Sequence, residues 1–199
     1  MFADALRRLY GYNTWATGQV LDAAEKLAPE QLHAPGQAGH GSIRDTLLHL
    51  LATHHGWLQW WDGSLSAEDA YNQGMDPNDF PNVAALRALL DTTDRQTGAF
   101  LATLDGDDPG RIYAWELPDG KRWEMPLWGM LVHIVNHCTQ HRAEAAAMLS
   151  ALGHSPGDLD LIFYLARPLD APDDEAANGR QWETATSQIG SREGAGKPP

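Results

Sequence analysis

Apolar residues recur every three or four positions along four long stretches of this chain, and that spacing predicts an amphipathic α-helix in each. The first covers about residues 2–28, where Leu6, Leu9, Val20, Leu21, Ala24 and Leu27 share a face and Pro29 marks the stop. Ser42 is a good N-cap for the second, with Asp45 three residues on in the manner of a capping box. Ile43, Leu47, Leu50, Trp57 or Leu58, and Trp61 carry that helix to about Asp62. Residues 63–81 lose periodicity and collect Gly, Asp, Asn and Pro, so a long loop is expected there. The third helix fits 82–104, on Val83, Leu86, Leu89, Leu90, Phe100, Leu101 and Leu104.

Pro118-Asp119-Gly120 then lies between two short runs, 111–117 and 121–125, that carry Trp115 and Trp123, a pattern that reads as a small β-hairpin. Pro126 suits the first turn of a fourth helix, whose core stripe is Leu127, Leu131, Ile134, Cys138, Ala145, Leu149 and Leu152. Gly153 can cap its end. The fold class is therefore all-α: a four-helix bundle with two long connections and a small hairpin before the last helix. The bundle domain is placed at 1–168. The remainder, 169–199, turns to Gly, Ser, Glu, Asp and Pro and is expected to be disordered.

Composition narrows the partners. The net charge is −13 and no Lys/Arg-rich stretch appears, so the chain repels a phosphate backbone and an anionic membrane alike. A small-molecule partner is expected instead. No apolar run approaches the roughly 20 residues that span a bilayer, and the N-terminus lacks a signal-peptide pattern, so a cytoplasmic location is expected. A lone cysteine, Cys138, rules out an internal disulfide. Eight tryptophans demand large apolar surfaces, and aromatics in excess of what a small bundle buries make a homodimer plausible.

The chain holds nine histidines, three of them within 133–141. His137 and His141 stand one helical turn apart on one face, with Cβ atoms about 5–6 Å apart, close enough for two imidazoles to reach one metal. A third ligand must come from another helix. The second helix offers His49, His54 and His55, and periodicity does not choose among them: His54 lies on the Leu47/Leu50/Trp57 stripe, whereas His49 lies slightly to its side.

Four segments, in order, carry a resemblance to the DinB (DinB/YfiT-like) family of metal-binding four-helix bundles. They are Tyr12-Asn13-Thr14-Trp15-Ala16, the run from Ser42 to Leu50 ending in Leu48-His49-Leu50, Met125-Pro126-Leu127-Trp128, and the run from His133 to Arg142 with its Asn136-His137-x-x-x-His141-Arg142 element. The resemblance spans about residues 2–165. It implies a metal triad of His49, His137 and His141 holding one divalent transition metal, zinc or nickel first, with iron or manganese as alternatives. Relatives include metal-dependent transferases working with low-molecular-weight thiols such as bacillithiol and mycothiol. By analogy the chain is expected to be a metal-dependent thiol S-transferase or a small-molecule hydrolase. The alternative is a non-catalytic stress-response protein with a structural metal. Many relatives carry an acidic residue where this chain has His54. A bundle whose histidines are merely core residues is the third reading, and burying three imidazoles without partners is costly.

Three neutral imidazoles with an open fourth position describe a catalytic-type site, and imidazole suits several metals. Around it, His133 is expected to wall the pocket, and one of Asn13, Asn136 or Gln140 to accept the second N–H of a ligand imidazole. Cys138 falls on the apolar stripe and reads as a buried small hydrophobe. His54 and His55 read as solvated or pocket-edge residues. His33, His40 and His154 fall in loops or at a helix end and are assigned no role. Tyr12, Trp15, Trp57 and Trp128 read as packing residues, and the Trp115/Trp123 hairpin as a cover over the metal or a dimer contact.

Overall fold

The structure, a computed structural model, describes residues 2–72, 74–105, 108–116 and 119–166. Four long helices dominate: α1 (Phe2–Ala24), α3 (Ile43–Trp61), α5 (Val83–Thr103) and α6 (Leu127–Ala151). Between them lie two short helices, α2 (Pro29–His33) and α4 (Ala67–Asn72), and a hairpin of β1 (Ile112–Glu116) and β2 (Arg122–Pro126). The chain divides after Gly157; α7 (Leu161–Leu165) belongs to the second unit. The expected tail, 169–199, lies outside the described residues. No helix among the described residues is long and apolar enough to cross a membrane.

The bundle is built as two pairs of faces. α1 packs on α5 and α6, and α3 packs on the same two helices, so α3 and α6 are direct neighbours. Their shared interior holds Leu47, Leu50, Leu51, Leu58, Leu131, Ile134 and Leu149, each at 1% exposure or less. Polar ties fix the register of the helices. Tyr10 Oη donates to the Leu131 carbonyl at 3.0 Å, joining α1 to α6. Thr14 Oγ1 donates to Asp94 at 2.6 Å, joining α1 to α5.

The local signals act as expected at several ends. Ser42 Oγ accepts from the Asp45 amide at 3.0 Å and starts α3. α5 has a cap that the periodicity did not indicate: Asn82 Oδ1 accepts from the Ala85 amide at 3.0 Å. Gly153, at φ +83°, follows the end of α6. In the hairpin, Trp115 pairs directly with Trp123 across the antiparallel ladder.

Three expectations are corrected. The first helix ends at Ala24, because the Lys26 and Leu27 amides turn back to carbonyls three residues earlier, and Pro29 opens α2 instead of merely stopping α1. The loop 63–81 contains α4, started by Ser66, whose hydroxyl accepts from the Asp69 amide at 3.0 Å while donating to the Asp69 carboxylate at 2.7 Å. Pro126, expected inside the first turn of the last helix, stands just before it as the final residue of β2.

Candidate metal centre

Because α3 and α6 are neighbours, His49 on α3 meets His137 and His141 on α6. Ring centroids are 4.4 Å apart for His137–His141, 4.7 Å for His49–His141 and 5.2 Å for His49–His137. A fourth imidazole joins them from the loop ahead of α3. The His40 ring stacks on His49 at 3.6 Å and lies 4.9 Å from His141. The donor nitrogens of His40, His49 and His141 all lie within 4.8 Å of one another, so this group could hold a metal ion. His137 flanks the same pair of rings.

His40 was assigned no role from sequence. Its signal is the run Gly39-His40-Gly41 directly before the N-cap Ser42. Gly39 and Gly41 have φ of +68° and +104°, a region that glycine enters without penalty. They fold the loop back so that the His40 amide donates to Thr46 Oγ1 at 3.0 Å.

The second nitrogen of His141 is also accounted for. His141 Nδ1 lies 2.7 Å from Glu144 Oε2. An ionised carboxylate only accepts, so Nδ1 carries the proton and Nε2 keeps its lone pair for the cluster. This is how metal-bound histidines are commonly oriented. Glu144 therefore fills the role expected of Asn13, Asn136 or Gln140. Asn13 is engaged elsewhere, accepting from Arg142 Nη1, and Asn136 is exposed.

Electrostatics keep two of the donors, His49 and His137, neutral. Burial, then the neighbouring His40 and His141, lower the His49 pKa to about 4. Burial, then His141 and His49, lower His137 to about 4 as well. Both are unprotonated at pH 7, with lone pairs free. His137 Nδ1 is buried and has no hydrogen-bond partner. An orphaned ring nitrogen beside three convergent imidazoles fits a borderline divalent transition metal, which takes nitrogen donors readily.

The remaining candidates separate cleanly. His54 is not at the solvent or a pocket edge: it is 3% exposed, shares a hydrogen bond with Thr97 Oγ1 at 3.1 Å, and packs on Tyr10 at 5.4 Å. Burial lowers its pKa to about 3. His55 is half-buried and pairs with Thr93 Oγ1 at 3.2 Å. Cys138 is fully buried, and burial raises its thiol to about 11, as a small core hydrophobe should behave.

His133 lies beside the cluster, 6.0 Å from His137, and faces Trp57 at 5.7 Å. Trp57 in turn contacts Trp60 at 5.5 Å and Trp115 at 6.3 Å, so an aromatic wall runs from His137 to the hairpin. Tyr113 Oη donates to the Trp61 carbonyl at 3.1 Å and fastens the hairpin to α3. Trp123 and Trp128, by contrast, are about half exposed, so Trp128 is not the packing residue its neighbours suggested.

The chain is 24% identical to Protein DinB of Bacillus subtilis (strain 168) over 164 residues, which covers 82% of this chain and 95% of that protein. The family model described as DinB family matches residues 1–175, and the chain belongs to that family.

Proposed function

We propose that this chain is a metal-dependent enzyme that works with a low-molecular-weight thiol, whose thiolate, its proton lost, attacks a small electrophile to form an S-conjugate. The observation that carries the reading is the convergence of imidazoles from α3, α6 and the loop before α3, with His141 oriented by Glu144. His49, His137 and His141 are the helix-borne ligands in this reading, and zinc or nickel the first candidates. A bound divalent ion supplies Lewis acidity there, lowering the pKa of a thiol or water placed against it.

The chain's own groups do the rest. Glu144 holds the His141 Nδ1–H and so fixes which nitrogen faces the cluster. Burial keeps His49 and His137 from protonating near neutral pH. His133, Trp57 and Trp115 offer a largely apolar wall to the non-reacting part of a substrate. The net charge of −13 supports a small-molecule partner over nucleic acid. Hydrolysis of a small ester or amide would use the same residues.

The test begins with elemental analysis of untagged protein purified without a metal column. About one metal per chain is expected, followed by metal-dependent consumption of bacillithiol, mycothiol or glutathione with a model electrophile. Metal at that ratio with silence across thiols and esters would instead favour a non-catalytic protein with a structural metal. No metal at all would overturn the proposal.

A further inference from the structure

We infer that His40 is a fourth protein ligand to the same metal, so that the resting centre is a closed set of four imidazoles with His40 as its exchangeable member. The inference rests on the metal-binding reading above and goes beyond a triad of helix-borne histidines.

Three observations carry it. The first is position: the His40 donor nitrogen falls within the same 4.8 Å group as those of His49 and His141, and His137 flanks the same two rings. One ion held between His49 and His141 is therefore within reach of the loop's His40, with His137 the next imidazole on α6.

The second observation is that the loop is built to hold this side chain. Gly39 and Gly41 both adopt positive φ, and the Gly36 amide closes the loop onto the Gly41 carbonyl. The His40 amide is tied to Thr46 Oγ1, which itself donates to the Ser42 carbonyl at 2.8 Å. A Cβ on Gly39 would overlap that same Thr46 hydroxyl, and a Cβ on Gly36 would overlap Met148 Sδ on α6. The loop thus lies tight against both helices that supply the other histidines, and glycine is what lets it do so.

The third observation is the contrast in burial. His141 is buried, and His49 and His137 are half-buried on helices whose backbones are fixed by the core. His40 is exposed and borne by a loop. Of the four, it is the imidazole that can withdraw without disturbing the bundle. Four protein donors describe a closed centre and three an open one. Movement of His40 is then what decides whether a small-molecule donor can enter.

The test uses the full chain loaded with Co²⁺ or Zn²⁺, comparing wild type with His40→Ala and Gly39→Ala. Wild-type protein is expected to show four imidazoles per metal by X-ray absorption and electron spin-echo measurements, and His40→Ala three. The Co²⁺ visible spectrum should change accordingly, and Zn²⁺ affinity in chelator competition should fall by at least about tenfold. Gly39→Ala keeps the imidazole but displaces its backbone, and should reproduce the spectral change. His40→Ala with wild-type spectrum and affinity would sink the inference while leaving the metal reading intact. Failure of the wild type to bind either ion would overturn both.

Discussion

Glu144 accepts a hydrogen bond from His141 Nδ1 at 2.7 Å, one helical turn further along α6. Desolvation raises the Glu144 carboxyl, but the hydrogen bonds from His141 and Gln140 and the adjacent imidazoles together lower its pKa overall. The carboxylate thus stays ionised at neutral pH and keeps the imidazole in one tautomer. Glu144→Ala is expected to lower metal affinity by about 10–100-fold with little change in fold. Chelator competition reads this directly, and unchanged affinity would remove Glu144 from the centre.

Metal removal should also be visible in stability. A ligand that binds only the folded state, present at about 100 times its Kd, contributes about 2.7 kcal/mol. For a domain of this size that corresponds to a fall of roughly 5–10 °C in Tm on chelation. The fall should be absent in His49→Ala and His141→Ala, which would already lack tight metal. Equal Tm with and without chelator in the wild type would contradict the assignment.

Arg142 is 1% exposed and reaches from α6 to α1, donating to Asn13 and Thr17 there and to Thr139 Oγ1 on its own helix at 2.7 Å, while its guanidinium lies over the Tyr12 ring. Among the described residues no ion pair joins it to a carboxylate. Removing a hydrogen-bond partner from a buried charge is expensive, so Asn13→Ala should destabilise by about 2–4 kcal/mol in urea unfolding. Asn13→Asp supplies the missing negative charge and should cost clearly less. The reverse order would mean that packing, not charge, governs the site.

His54 sets a pH dependence. The unfolded side chain takes up a proton near its ordinary value of 6.5, whereas burial holds the folded one neutral down to about 3. A folded pKa below the unfolded one means the contribution is complete above that higher value and is lost as pH falls toward the lower one. The slope is about 1.4 kcal/mol per pH unit. Between pH 7 and 5 the wild type should lose about 2 kcal/mol on this account. His54→Gln should flatten the curve by that amount, measured by denaturant titration of metal-free protein at both pH values. Parallel curves for the two proteins would show that His54 is not held neutral by the fold.

Much of the molecule was legible because its signals are local. Helical spacing of apolar residues, Ser42 with Asp45, and the Pro-Asp-Gly turn each act within a few residues of themselves. The Ser66/Asp69 cap of α4 had the same kind of signal but sat in a Gly- and Pro-rich stretch that masked it. Glu144 was also within reach, since a residue three after His141 lies on the same helical face. Trp128 misled because an apolar type in a helix does not say which way the helix is turned.

What the sequence determined by itself is the set of four helices, the Ser42 cap of α3 and the pairing of His137 with His141, because hydrogen bonds and side-chain periods along one helix depend only on near neighbours. The packing of α3 against α6 decided that His49, and not His54, faces those two. The loop decided that His40 joins them, and Arg142 on α6 keeps Asn13 away by donating to its Oδ1. Those choices lie in contacts between residues far apart in the chain, where a small rotation of one helix exchanges a core position for a site position.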